Sequence, residues 1–150
     1  MNATISRIKI TLAVLALAVL ATSFSGCKGS DTLALSKKDE VTATLTKSAW
    51  VIKTVTVDGV DKTSIYPNIG LTFTSSAFTT TNGGPIWPTS GTWSFTTADA
   101  TAIQRNDGLV VTIQEATATS LKLALSWTKT TLGGGRVESV SGQHVFNFGK

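Results

Sequence analysis

Short stretches of alternating apolar and polar residues fill the chain from about residue 45 to its end. In the clearest of them, Leu121, Leu123, Leu125 and Trp127 alternate with polar or small residues. A period of two is typical of a β-strand, whose successive side chains point to opposite faces. Threonine, valine, phenylalanine and tryptophan favour strands, and turn residues separate these stretches at short intervals. The pattern therefore predicts an all-β domain.

The pattern predicts about eight short antiparallel strands and no long helix. Asp58-Gly59 is a strong hairpin turn, because both central residues of a type I′ turn need a positive φ. The pattern does not decide which face of the first strand points to the interior, since Trp50 and Ile52 compete with Val51, Val55 and Val57 for that position. The strand-like stretches are residues 50–57, 70–74, 77–81, 91–96, 102–105, 109–115, 121–129, 137–141 and 143–148.

Two architectures accommodate this many short strands, a sandwich and an up-and-down barrel. The chain lacks the Cys…Trp…Cys spacing of an immunoglobulin domain, because Cys27 is its only cysteine. Strands joined by sequential hairpins suit a closed barrel, which also removes the exposed edges of a small sheet. We therefore expect an eight-stranded antiparallel barrel.

The first 26 residues have the three-part plan of a secretory signal. A basic start with Arg7 and Lys9 precedes the apolar run of residues 10–21, and small residues follow. As a helix, that run would span roughly 18 Å, which is short of the ~30 Å core of a bilayer. A cleaved signal peptide over residues 1–26 is therefore favoured over a membrane-spanning helix.

Ser25 and Gly26 stand directly before Cys27 at the end of this segment. The arrangement resembles the bacterial lipobox, in which the cysteine sulfur receives a diacylglycerol and the amine exposed by cleavage is acylated. Phe24 departs from the leucine that is usual in that motif. The alternative is an ordinary signal cleavage next to a cysteine. Lipidation of Cys27 would hold the protein on a membrane, because several acyl chains anchor durably.

The residue after the cysteine is Lys28 rather than aspartate. By resemblance to Gram-negative lipoprotein sorting, this favours the outer membrane, on either its periplasmic or its cell-surface side. Residues 28–31 partly resemble the surface-export tether of Bacteroidota lipoproteins, although they contain one acid only. Asp31-Thr32-Leu33 fits the pattern that the same group glycosylates, which makes Thr32 a candidate for O-glycosylation.

Residues 27–44 are polar and small, and we interpret them as the lipidated cysteine and a tether before a barrel domain over residues 45–150. Within the tether, Ser36 is placed to cap a short helix over residues 37–41, with Asp39 and Glu40 in its first turn. The alternative for this stretch is a solvated linker.

Composition narrows the range of partners. The chain has 13 Lys and Arg against 9 Asp and Glu, but Arg7 and Lys9 lie in the signal, which halves the formal charge of +4. The remaining bases are scattered rather than gathered in a stripe, so we expect no nucleic-acid partner. A single cysteine excludes an intramolecular disulfide and a cysteine-based zinc site.

Several short motifs follow one another along the domain, namely Leu45–Trp50, Asp58-Gly59, Leu71-Thr72-Phe73, Gly91–Phe95, Val111-Thr112-Ile113 and Ser120–Leu123. Their order resembles the lipocalin-like domains of small Bacteroidota lipoproteins, over residues 45–148. The resemblance implies a calycin-type barrel of eight strands with a binding role. Ser48 stands where a lipocalin has glycine, and Arg136 is the candidate for the lipocalin arginine that packs near the first tryptophan.

No catalytic constellation is visible. His144 is the only histidine and lies among apolar residues without a nucleophile motif, and the aspartates at positions 58, 61, 99 and 107 are typical of turns. One histidine without ligand spacing gives no support for a metal site. We therefore expect neither enzymatic activity nor a cofactor.

The aromatic residues are the remaining indication of function. The aromatic residues on the strands either fill the core or line a site for a small hydrophobic or amphipathic ligand. Tyr66 and Trp87 lie in loops beside prolines. They either contact a ligand at the mouth of the barrel or form a lid over the barrel end. The alternative function is an envelope interaction module with a fully packed barrel. The candidate ligand-binding residues are Tyr66, Phe73, Trp87, Trp93, Phe95, Leu123, Leu125 and Trp127.

Overall fold

The computed structural model describes residues 35–150, which form one compact unit of strands with a short helix and one 3₁₀ turn. Among these residues, no helix is both long and apolar enough to cross a membrane. The elements are α1 (Lys37–Thr46), β1 (Trp50–Val57), β2 (Val60–Asp61), the 3₁₀ turn (Thr63–Ile65), β3 (Gly70–Phe73), β4 (Ala77–Thr81), β5 (Ser90–Phe95), β6 (Ala102–Arg105), β7 (Val110–Ala116), β8 (Ser120–Trp127), β9 (Thr131–Gly133), β10 (Arg136–Ser139) and β11 (Gly142–Gly149).

Eight strands form a closed antiparallel barrel, which confirms the predicted fold class. Their order is β1, β3, β4, β5, β6, β7, β8 and β11, and β11 pairs again with β1. β2 adds a short pairing at the end of β1, where Asp58 and Gly59 both have the positive φ expected of the predicted turn. This barrel is consistent with a calycin-like fold.

The barrel has two different ends, because consecutive antiparallel strands place their connections alternately at one end and the other. The closed end carries the link from α1 to β1 and the short connections 74–76, 96–101 and 117–119. The loop end carries the longer connections, which are residues 58–69, 82–89, 106–109 and 128–141. In the last of these, β9 and β10 form a separate two-stranded ribbon, which includes part of the predicted strand 137–141.

A β-bulge in β1 resolves the open question about the first strand. The register against β11 shifts between Ile52 and Thr54. Trp50 is buried before the bulge, and Val55 and Val57 are buried after it. One extra residue moves the alternation to the other face, so Trp50 from one group and Val55 and Val57 from the other supply the interior, whereas Val51 is exposed.

The helix α1 belongs to the folded unit rather than to a free tether. Ser36 and Asp39 cap it reciprocally, since the Asp39 N–H donates to Ser36 Oγ at 3.2 Å and the Ser36 N–H donates to the Asp39 carboxylate at 3.3 Å. Leu45 is fully buried, and its carbonyl accepts from the Trp50 indole at 3.0 Å. The predicted helix is therefore confirmed over the solvated linker, and it extends to Thr46 instead of ending at residue 41.

The expected position of Arg136 beside Trp50 is wrong. Arg136 begins β10 at the loop end, whereas Trp50 begins β1 at the closed end. The cation over the Trp50 ring is instead the Lys150 ammonium, 4.8 Å from the ring centroid. The C-terminal residue reaches Trp50 because β11 runs antiparallel to β1 and ends beside its start.

Replacing Leu45 by alanine should lower the free energy of unfolding by about 2–5 kcal/mol, because it leaves a cavity against the barrel. Urea unfolding followed by tryptophan fluorescence measures the change. Lys38→Ala on the exposed side of α1 is the control and should stay within about 0.5 kcal/mol of wild type. Equal effects of the two substitutions would mean that the helix does not pack on the barrel.

Candidate functional site

Large aromatic side chains fill the barrel interior towards the loop end. Trp87 lies edge-on against Phe78 and Phe146, with ring centroids 6.0 and 5.8 Å apart. All three side chains are at most 1% exposed. Trp87 comes from the connection between β4 and β5, so this loop folds inward and covers the barrel. Of the two roles considered for Trp87, contact with a ligand at the mouth or a lid over the barrel end, the structure shows the lid.

A buried arginine completes this cover. The Arg105 guanidinium stacks on Phe78 and Trp87, 5.6 and 5.1 Å from their ring centroids, which are cation–π distances. It donates to the Ile86 carbonyl at 2.7 Å and pairs with the Asp107 carboxylate. Burial alone would raise the pKa of Asp107, but hydrogen bonds from Arg105 and from the Leu109 amide, together with the guanidinium charge, leave that pKa below its ordinary value. The guanidinium is thereby satisfied inside an apolar cluster.

The strand residues predicted to bind a ligand pack within the core. Trp93 contacts Phe73 and Phe95 edge-on, at centroid distances of 5.9 and 5.0 Å. Leu123 and Leu125 are buried, and Trp127 is half-buried with its indole donating to the Ser139 hydroxyl at 3.2 Å. The structure brings Phe73, Trp93 and Phe95 together as one cluster, and it places Trp127 beside the ribbon.

A half-open cleft of about 680 Å³ lies at the loop end, outside the packed interior. We call it the mouth cleft. Three of the four connections at that end form its walls, through residues 64–68, 82–85 and 136–138. Tyr66 is the one predicted ligand-binding residue that lines it.

The walls of the mouth cleft combine apolar and polar groups. Ile65, Pro67, Pro85 and Val137 supply apolar surface. The polar residues of the lining are Ser64, Asn68, Asn82, Arg136 and Glu138. Such a surface suits a molecule with an apolar body and a polar head.

Two asparagines in the left-handed conformation shape the cleft. Asn68 has φ 57° and Asn82 has φ 55°, and asparagine tolerates this region better than most residues with a side chain. Asn82 Nδ2 donates to the Asn68 carbonyl at 3.0 Å, which joins two of the walls. The Asn82-Gly83 sequence signals a turn, but nothing in the sequence shows that this turn meets Asn68.

Beneath the cleft, one tyrosine hydroxyl connects three segments. Tyr66 Oη lies 2.8 Å from His144 Nε2 on β11 and accepts from the Val140 N–H, just after β10, at 3.2 Å. His144 Nδ1 lies 3.1 Å from the Gly142 carbonyl. A carbonyl only accepts, so Nδ1 carries the proton and Nε2 accepts from the Tyr66 hydroxyl. His144 is fully buried and Tyr66 is 3% exposed.

The environment keeps both of these side chains neutral. Burial lowers the pKa of His144, opposed by its bond to Gly142 and by the charge of Asp58. Burial also raises the pKa of Tyr66, opposed by the bond from Val140. A tyrosine nucleophile would need a lowered pKa. The pair is therefore better suited to holding structure than to activating a nucleophile.

Comparison with protein-family models and with curated protein sequences gives no match for this chain. Within residues 35–150, no group of three or more histidine, cysteine, aspartate or glutamate side chains is placed to hold a metal ion. The geometry of the mouth cleft and of the packed interior is therefore the basis for a functional proposal.

Replacing Arg105 by alanine should lower the free energy of unfolding by about 3–5 kcal/mol, because it leaves space beside two rings and leaves the buried Ile86 carbonyl without its donor. Arg105→Met should lose less, since methionine fills that space without a charge. Chemical denaturation measures both. Arg136→Ala on the exposed ribbon is the matched control, and equal losses at positions 105 and 136 would contradict the structural role of the buried guanidinium.

Proposed function

We propose that this chain is a lipid-anchored protein of the bacterial outer membrane that binds a small amphipathic ligand in the mouth cleft without catalysis. The observation that carries the proposal is the cleft itself, which is half-open, about 680 Å³ in volume and lined by both apolar and polar groups. Ligand sites of small molecules occupy about 300–1,000 Å³, so the cleft has the size of such a site.

The packing of the interior favours the cleft over the barrel lumen as the binding site. Trp87, Phe78 and Phe146 contact one another across the interior, and Arg105 is stacked among them. A ligand in the lumen would have to displace these rings and break the bond from Arg105 to the Ile86 carbonyl. A ligand in the cleft displaces only solvent.

The walls assign different parts of the ligand to different residues. Pro67 and Pro85 have restricted backbones, so they offer apolar contact at little cost in entropy. Arg136 on β10 is exposed and offers a charged hydrogen-bond donor to a polar head, whereas Asn68 and Asn82 lie in the same walls as the prolines. We therefore infer that the apolar body lies against the prolines and the head lies towards β10.

The membrane anchor rests on sequence alone. The signal over residues 1–26, the lipidated Cys27 and the glycosylation candidate Thr32 lie outside the described residues. Their support is the apolar run, the small residues before Cys27 and the lysine after it. The absence of catalysis is likewise part of the proposal, supported by the neutral and fully bonded Tyr66 and His144.

Ser64→Trp should abolish ligand binding, because Ser64 is an exposed residue of the cleft wall and a large ring there fills the site. Native mass spectrometry of the domain purified from its own host identifies the bound molecule, and titration with 8-anilinonaphthalene-1-sulfonate measures occupancy of the cleft. Ala118→Trp, exposed at the closed end, is the control and should bind as wild type does. Equal binding by both variants would place the ligand elsewhere.

Cys27→Ser should convert the protein from a membrane-bound to a freely extractable form, since serine offers no thiol for the diacylglycerol. Detergent phase partitioning and the intact mass of the purified chain measure the change. If the intact mass of the wild-type chain shows no acyl groups on Cys27, the anchor is refuted. The proposal for the cleft does not depend on this result.

A second candidate function is an interaction module in the cell envelope, which the packed interior and the ribbon favour. Leu132 and Val137 pair across β9 and β10 and are 72% and 39% exposed. Such a projecting apolar pair suits a protein partner. Wild-type chain should then crosslink in a fixed ratio to one envelope protein, and Leu132→Lys should abolish this crosslink. Binding of the fluorescent probe in the cleft should stay unchanged in this variant. A crosslink that persists in Leu132→Lys would exclude this surface.

A further inference from the structure

One phenolic oxygen forms hydrogen bonds that link two walls of the mouth cleft with a barrel strand. Tyr66 belongs to the wall of residues 64–68, and its hydroxyl accepts from the Val140 N–H, just after β10, which forms another wall. The same hydroxyl donates to His144 on β11. Whatever changes the state of His144 therefore acts on both walls at once.

The proton positions in this chain of bonds have one consistent arrangement at neutral pH. Val140 donates to Tyr66, Tyr66 donates to Nε2 of His144, and Nδ1 of His144 donates to the Gly142 carbonyl. A proton added to Nε2 turns this acceptor into a donor. The Tyr66 hydroxyl then faces two donors and loses the acceptor for its own proton. Of these two donors the imidazolium is charged and makes the stronger bond, whereas the bond from Val140 is longer, at 3.2 Å against 2.8 Å. The bond to Val140, which ends on a short ribbon rather than on a barrel strand, is therefore the one that can open.

We propose that Tyr66 and His144 form a pH-sensitive latch, in which protonation of His144 frees the base of β10 from Tyr66 and weakens binding in the mouth cleft. This inference rests on the proposed function, because it describes how the same cleft is regulated. No covalent chemistry is involved, and the only species transferred is a proton from solvent to Nε2.

The groups around His144 determine where the latch operates. Phe146 stacks on the imidazole and the Tyr66 ring meets it edge-on, so the charged form lacks solvent. The charged group that faces it is Asp58 in the turn after β1, which favours the imidazolium. Burial is the larger effect and lowers the pKa of His144 below its ordinary value of 6.5. The latch is therefore closed at neutral pH and opens in acid.

The sign of the effect on stability follows from the same shift. Because the folded state binds the proton more weakly than the unfolded state, the contribution of His144 to stability is complete above pH 6.5. It is lost as the pH falls from that value through the lower pKa of the folded state.

The ribbon is the segment expected to move. It has two strands only, and its tip contains Gly134 and Gly135, both with positive φ. Among residues 35–150 the Ser139 hydroxyl also ties it to the end of β8 and the chain that follows, since it accepts from the Trp127 indole and donates to the Lys129 carbonyl. Loss of the bond from Val140 to Tyr66 thus leaves the ribbon with its polar ties at Ser139.

The chain contains one histidine and one tyrosine, so their ring signals in nuclear magnetic resonance are unambiguous. A titration from pH 8 to 4.5 gives the tautomer and the pKa of His144. Hydrogen exchange of the Val140 amide, corrected for the intrinsic effect of pH, gives the state of the latch. We expect protection of Val140 to fall by up to about tenfold per pH unit between pH 6.5 and the lower pKa measured for His144, and to change little below that pKa, while a barrel amide such as that of Leu125 stays protected.

Binding of 8-anilinonaphthalene-1-sulfonate, whose sulfonate stays ionised throughout, is measured over the same range. Its affinity for the wild type should fall in parallel with the protection of Val140. His144→Gln keeps an acceptor for Tyr66 but does not titrate, so its affinity and its Val140 protection should be independent of pH. Tyr66→Phe should expose Val140 at every pH.

The outcomes separate the latch from the cleft. Titration of His144 with constant Val140 protection in the wild type would overturn the latch, whatever the probe does. Loss of Val140 protection in acid without probe binding at any pH would support the latch and overturn the proposed function. A probe affinity in His144→Gln that falls in acid as in the wild type would also overturn the latch.

Discussion

The pairing of β1 with β11 is the interaction on which the rest of the structure depends. It joins the first and last strands of the barrel from Val51 opposite Gly149 to Val57 opposite His144. Without it the sheet would keep two free edges and an open interior. With it, the Phe146 and Phe148 side chains face the core, and Lys150 comes to lie on Trp50. The closure also fixes His144 at the loop end, where it meets Tyr66.

Closure of a small barrel leaves a volume that side chains can fill, and this chain fills it with large ones. The connection between β4 and β5 contributes Trp87 from the loop end, and the barrel strand β6 contributes Arg105. The molecule therefore has two regions with different roles. The interior provides stability, and the space that a ligand can enter lies among the longer loops, where Asn68 and Asn82 hold two walls together.

The link between these two regions is polar. Tyr66 has its ring in the core and its hydroxyl between β11 and the ribbon. A hydroxyl that both donates and accepts inside a protein is sensitive to any change in its partners, because an unsatisfied buried group is costly. This is why one imidazole at the edge of the core can influence the walls of an external cleft.

The sequence by itself determined the class of fold and the positions of most strands, because a period of two and the turn residues are local signals. It also indicated the cap at Ser36. It left the first strand open, since the bulge near Lys53 appears only when β1 pairs with β11. The mouth cleft combines residues 64–68, 82–85 and 136–138, and the bond between Tyr66 and His144 joins positions far apart in the chain. Only the tertiary structure decided these, because loop positions at a barrel end depend on closure of the whole sheet and not on the residues beside them.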